Sequence, residues 1–257
     1  MRVSMRVRNT GTALLIPLTV AVVWWLVSEQ VHSVFYPSLR SILVSFRETW
    51  LFAHFGSDIV VSLCRLLAGY LLSAVVGVGL GILLGRVRAI DIALQPAIQF
   101  ARAIPAVALI PVTILLFGIG DASKILLIAF CCVFPILLNT IDGVRNVEAQ
   151  LEDVGRSFRL TRWQRVATIQ LPSALPQIFA GLRTALGLAF ILGIVTEMTG
   201  SSNGIGFVTI EAQQTFEIPQ MWSGMILLGL LGSLLNALFL FVERRALRWH
   251  HRSKAGI

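Results

Sequence analysis

The sequence predicts an all-α integral membrane protein with about six transmembrane helices and a helix-turn-helix held outside the membrane. Three observations carry this prediction. The mean hydropathy is +0.82, with 56% hydrophobic and 13% charged residues, whereas a soluble domain carries roughly a quarter charged residues. Apolar runs of membrane-spanning length recur along the 257 residues. One polar, cationic stretch, 148–172, is wedged between two of those runs.

The first apolar run, 11–27, follows Arg2, Arg6 and Arg8. It is longer than a signal-peptide core and no small-x-small cleavage site follows, so it is expected to be an uncleaved span, with Trp24 and Trp25 at aromatic-belt depth. Pro37 breaks the mixed segment 28–58, after which Leu39, Ile42, Leu43 and Phe46 recur at helical spacing, predicting an amphipathic helix on the outer surface. The second span is 59–84. It carries Gly69, Ser73, Gly77, Gly81 and Gly85, one small residue every four, which predicts a face for close helix packing. The third span, 97–117, is expected to be broken by Pro105 and Pro111, and the fourth, 125–141, by Pro135, with the sequence GIGDAS as the turn between them. The fifth and sixth spans are 175–196 and 221–242.

The placement of cations explains the net charge of +8. With six spans and the N-terminus inside, the inner side collects Arg2, Arg6, Arg8, Arg86, Arg88, Arg145, Arg156, Arg159, Arg162, Arg165, Arg244, Arg245, Arg248, Arg252 and Lys254. The outer side holds Arg40, Arg47 and Lys124, and the segment 199–220 has no Lys or Arg. This positive-inside bias puts both ends in the cytoplasm and accounts for the charge without nucleic acid. Cys64, Cys131 and Cys132 lie in apolar runs with no CxxC pair, and the four histidines have no zinc-site spacing, so no metal is expected. No GxxxxGK[ST] phosphate loop occurs, and no nucleophile–base pair suggests covalent catalysis.

Within 148–172 two short helices are expected. The first, 148–158, puts Leu151, Val154 and Phe158 on one face. The second opens with Thr161-Arg162-Trp163-Gln164, a capping box, and is expected to bury Trp163, Val166 and Ala167 before Pro172 stops it. These stripes are too short for a domain of their own and need a groove, on this chain or on a partner.

These residues resemble the permease subunit of type I ABC importers, whose cytoplasmic loop reads Glu-Ala-Ala-x3-Gly-x9-Ile-x-Leu-Pro. Ile169-Gln170-Leu171-Pro172 matches the end of that pattern; counting back puts the family glycine at Arg159 and its Glu-Ala-Ala at Asp153-Val154-Gly155. An arginine at a turn needing positive φ departs from the pattern at a cost of about 1 kcal/mol. The stretches RSFRLTRWQ, IQLPSALPQIFAGLR, RAIPAVALIP, GIGDASKILL and FPILLNT resemble the nitrate, sulfonate, taurine and thiamine-precursor branch, over roughly 58–245. The implied domains are 1–57 (N-terminal tail, first span and external segment), 58–245 (transmembrane domain with its coupling loop) and 246–257 (basic cytoplasmic tail).

The resemblance implies a multi-pass permease of the bacterial inner membrane, not itself an enzyme. It implies a second copy of the permease, two cytoplasmic ABC ATPase subunits that bind ATP and magnesium, a periplasmic or lipid-anchored binding protein, and contact with membrane lipid. This chain is expected to bind no cofactor. Asp153, Val154, Gly155, Arg156, Arg159, Leu160, Thr161, Arg162, Trp163, Ile169, Leu171 and Pro172 form the implied ATPase-coupling loop. The expected cargo is a small solute such as a sulfonate, taurine, nitrate or a thiamine precursor. Glu197, Asn139 and Arg102 are the candidate translocation-path residues. Arg65, Arg102 and Arg183 either line a path or snorkel to the interfaces, the second being preferred. Glu197, with no basic neighbour one turn away, is a candidate gate or cavity residue. The competing reading is a secondary transporter driven by an ion gradient, which would require paired intramembrane carboxylates and inverted repeats.

Overall fold

The computed structural model describes residues 19, 22–25, 28 and 35–248. Apart from 19 and 22–25, the span expected at 11–27 lies outside the described residues, as does the basic tail from 249. Every regular element among the described residues is helical. The chain divides into two compact units, one comprising the chain up to Phe55 with Val208–Leu227, the other Gly56–Phe207 with Leu228 onward.

In the first unit, α1 (Leu39–Phe46) begins at Ser38, whose hydroxyl accepts from Ser41 N, and buries Ile42. Trp50 is fully buried and its Nε1 donates to Ser223 Oγ at 2.9 Å.

The second unit is built on α2 (Val60–Arg86), α5 (Asp121–Arg145) and α8 (Leu171–Gly200). The small-residue stripe of α2 faces α5. A Cβ at Gly69 would lie 2.8 Å from Ile128 Cβ, at Gly77 2.9 Å from Ile136 Cβ, at Gly81 2.5 Å from Thr140 Cβ, and at Gly85 2.9 Å from Val144 Cβ. Ser73 is buried in the same row. A groove of small residues every four positions therefore receives a ridge of β-branched residues spaced in the same way, the membrane alternative to hydrophobic driving force. The core continues onto α8 through Leu66, Ile128, Ile136, Ala185 and Ala189.

Because Gly69 meets Ile128 and Gly85 meets Val144, α2 and α5 run parallel. The chain between them must travel back, and it does so as a bent pair. α3 (Arg88–Ala103) is followed by a 3-10 turn (Ala106–Leu109) and α4 (Ile110–Phe117), with an 87° bend. The third span expected at 97–117 is thus longer and broken once. The break falls where Ile104 precedes Pro105 and is held extended (φ −70°, ψ 123°). Pro111 does not break the chain, because it sits in the first turn of α4, where its missing N–H costs no hydrogen bond. Pro135 was also expected to break its span, yet α5 runs through it unbroken. The ridge packed into α2 on both sides of Pro135 holds that helix together.

Among the described residues four helical stretches are individually long and apolar enough to cross a membrane, namely Phe55–Arg86, Asp121–Arg145, Trp163–Gly200 and Ile218–Ala246, and the bent pair counts as a fifth when taken as one span. The last stretch is α10. The segment 199–220, read from the sequence only as lacking Lys and Arg, contains a further helix, α9 (Ile205–Gln214).

The stripe makes a prediction. Gly81→Ala drives a methyl into Thr140 and is expected to lower stability by about 1–3 kcal/mol, whereas Gly79→Ala, with nothing within 4 Å, is expected to be neutral or stabilising. Thermal unfolding in detergent should separate the two, and equal midpoints would contradict the packing account.

Candidate functional site

The polar stretch folds as a bracket. α6 (Ala149–Ser157) ends in a turn at Phe158 and Arg159, then α7 (Arg162–Arg165) passes through a π-helical turn (Val166–Gln170) into α8. Arg159 has φ 55°. Leu160 N donates to Gly155 O at 3.0 Å and Arg159 N to Arg156 O at 2.9 Å. These two bonds are those of a Schellman cap, whose left-handed residue is ordinarily glycine. The arginine thus occupies the glycine conformation at a cost of about 1 kcal/mol.

Thr161 and Gln164 form a reciprocal capping box: Thr161 N donates to Gln164 Oε1 at 2.8 Å and Gln164 N to Thr161 Oγ1 at 3.3 Å. The two arms close on each other where a Cβ at Gly155 would lie 2.6 Å from Ile169 Cδ1. Asp153 and Arg156 are an exposed pair 3.9 Å apart, an arrangement of little energetic weight.

Two expectations for the bracket are corrected. Trp163 is not a core residue, being 79% exposed, with Arg86 Cζ 6.0 Å from its ring centroid. Ala167 is exposed too, and of the three residues expected inside only Val166 is buried. The indole lies in the first turn of the second arm, away from the point where the arms meet at Gly155 and Ile169. Pro172 does not stop the helix, because the π turn immediately before it shifts the hydrogen-bond register and lets the proline fall in the first turn of α8. The stretch Trp163–Gly200 is therefore 38 residues of continuous helix.

Near the other end of that helix Glu197 is 2% exposed and sits in a polar network. Both carboxylate oxygens accept from Ser62 Oγ at 2.8 Å, Oε1 accepts from Arg65 Nη1 at 3.1 Å, and Oε2 accepts from Gly206 N at 3.1 Å. Arg65, 6% exposed, also reaches Asp121 Oδ1 through Nε at 2.7 Å and Nη2 at 2.6 Å, Asn203 O through Nη1 at 3.1 Å, and Asn203 Oδ1 through Nη2 at 2.6 Å. Asp58 Oδ1 accepts from Gly204 N at 2.6 Å. The network ties the start of α2, the start of α5 and the end of α8 to the loop 201–204.

Snorkelling was the preferred reading for Arg65, and the structure overturns it. The partners of Arg65 and Glu197 lie on other helices, so no search one turn away along the chain finds them. Ser62, Asp121 and Asn203 were missed for the same reason. Asn139 holds α5 to α8, with Nδ2 donating to Pro135 O at 2.8 Å and Oδ1 accepting from Gln177 Nε2 at 3.0 Å. Arg102 and Arg183 are exposed. At the opposite end of the α2–α5 pair, Arg145 Nη2 meets buried Asp91 at 2.8 Å and donates to Leu84 O at 3.0 Å. Among the described residues no cluster of His, Cys, Asp or Glu is arranged to hold a metal ion.

Residues 77–248 match the family described as binding-protein-dependent transport system inner membrane component. The chain is 33% identical over 240 residues, covering 93% of it and 87% of the relative, to a Bacillus subtilis (strain 168) protein named for aliphatic sulfonates transport, the permease SsuC. It is 34% identical over 188 residues, 73% of this chain and 67% of the relative, to the nitrate import permease protein NrtB of Leptolyngbya laminosa. Its fold matches a chain of the MetNI methionine ABC transporter, solved in inward-facing conformations, with TM-score 0.65 at 19% identity, covering 74% of this chain and 94% of that one. A continuous helix leading from an exposed bracket into a multi-helix membrane bundle fits that company, and the chain belongs to the binding-protein-dependent transport system inner membrane component family, as a multi-pass permease of ABC importers.

Proposed function

We propose that this permease works as a pair of identical subunits, each docking one cytoplasmic ABC ATPase on the bracket 148–172, with ATP and magnesium bound by the ATPases. A periplasmic or lipid-anchored binding protein delivers the solute, and both ends of the chain are cytoplasmic. The observation that carries the reading is the bracket's set of exposed apolar side chains: its backbone is fixed by the Schellman cap and capping box, yet Phe158 is 75% and Trp163 79% exposed, and Leu151 and Val154 are exposed as well. Exposed apolar side chains flanked by arginines on a fixed backbone are the kind of feature that a groove on a soluble partner receives.

The bracket opens directly into the helix Trp163–Gly200, about 57 Å long at 1.5 Å per residue. Closure of the ATPases on ATP would displace the bracket, and that continuous helix would carry the displacement to the Glu197 network. The network, on the outer side in this topology, would close the path until its helices separate. The cargo is a small oxyanion of the sulfonate or nitrate class, a reading supported by the names of the relatives.

Two outcomes test this reading. Replacing both Phe158 and Trp163 by alanine is expected to weaken co-purification of the ATPase at least tenfold with an unchanged melting temperature, since both side chains are exposed; unchanged association would sink the docking role. Arg65→Met leaves Glu197 buried and unpaired and is expected to cost about 3–5 kcal/mol of stability. The double variant Arg65→Met/Glu197→Met should recover part of that loss, and additive losses in a double-mutant cycle would show that the pair is uncoupled.

A further inference from the structure

A cavity of about 500 Å³ opens where α3 breaks against α5 and α8, a size typical of small-molecule sites. Its walls are mostly apolar, among them Ile104, Phe130, Phe134 and Leu188. Phe130 and Phe134 meet edge to face with centroids 5.2 Å apart. Arg102, in the last turn of α3, is the one charged side chain lining it among the described residues. Among the described residues Arg102 makes no hydrogen bond or ion pair, in contrast to Arg65 and Arg145, whose guanidiniums are each paired with carboxylates.

An unpaired guanidinium beside an apolar hollow is a fork of donors awaiting planar or tetrahedral oxygens. The only hydroxyl on the lining among the described residues, Thr184 Oγ1, donates to Ala180 O at 3.0 Å. An anion polar on every side would therefore meet one donor group and leave its remaining oxygens against phenylalanine and leucine, which is costly. An anion with an apolar substituent would pair its charged head with Arg102 and bury the rest against those walls.

The geometry points to this cavity as a binding site for an oxyanion that carries an apolar group, an alkylsulfonate being the fitting chemistry, with Arg102 as the residue that recognises its head. The inference rests on the proposed oxyanion cargo and narrows it, favouring organic sulfonates over nitrate. It also moves Arg102 from an interface anchor to a specificity-determining residue.

Cys131 lines the same cavity and provides a readout independent of transport. The full chain carrying Cys64→Ser, purified in detergent, is alkylated with N-ethylmaleimide; Cys132 is fully buried and reacts slowly. The expected result is that 1-butanesulfonate slows alkylation of Cys131, while nitrate and 1-butanol at equal concentration do not. Arg102→Gln should weaken the apparent affinity for 1-butanesulfonate about tenfold or more, the value of losing an ionic hydrogen bond, and Arg102→Lys should retain part of it. Equal protection in Arg102→Gln, no protection in the parent, or protection by nitrate as strong as by 1-butanesulfonate would overturn the site. If the assembled transporter still takes up an oxyanion with ATP while protection fails, the cavity assignment alone falls and the permease reading stands.

Discussion

The close approach of α2 and α5 is the contact on which the second unit depends. Small residues at 69, 73, 77, 81 and 85 receive β-branched residues at 128, 136, 140 and 144, and the parallel register that follows places polar groups at both ends of the pair. One turn before Gly69 stands Arg65, and two turns before Ile128 stands Asp121, so the stripe brings the guanidinium to the carboxylate at 2.6 Å. At the other end, Arg145 directly follows Val144 and reaches Leu84 O and Asp91. A slip of one residue would separate both clusters at once. Dispersion and backbone proximity hold the middle of the pair, and ion pairs that each include a buried side chain, Arg65 at one end and Asp91 at the other, fix its ends.

The parallel pair also dictates the shape of its surroundings. It requires a returning crossing, supplied by α3 and α4, and Pro105 lets that crossing bend by 87°. The bend opens the cavity beside Arg102. The longest helix, Trp163–Gly200, packs on the same core and joins the exposed bracket to the buried Glu197. A proline at 172 would ordinarily interrupt such a connection. The π turn at Val166–Gln170 absorbs it, so the bracket and the bundle share one continuous backbone.

Much of this was legible in the sequence, for identifiable reasons. Span positions follow from composition, the α2 stripe from its four-residue spacing, and the capping box from Thr161 and Gln164, because each is a local pattern. The positive φ at Arg159 was accessible only by counting back from Ile169-Gln170-Leu171-Pro172, since arginine itself advertises nothing of the kind. What local reading missed was long-range pairing. Glu197 looked unpartnered because Ser62 and Arg65 lie 135 and 132 residues away, and Arg65 looked like an interface residue because its acceptors are on other helices. Trp163 was misplaced for the opposite reason: an indole at helical spacing reads as core, yet it stands in the first turn of its arm, where it is left exposed. Prolines 135 and 172 were read as breaks because sequence shows the missing donor and hides the packing or the π turn that compensates.

The central claim is that this permease moves its solute only when ATPases work on its bracket. The direct measurement is uptake of radiolabelled 1-butanesulfonate and of nitrate into proteoliposomes containing the permease, its ATPase and its binding protein, with and without ATP, beside vesicles holding the permease alone under a proton or sodium gradient. The account predicts uptake that requires ATP and all three components, and none by the permease alone. Uptake by the permease alone, driven by the gradient without nucleotide, would contradict it.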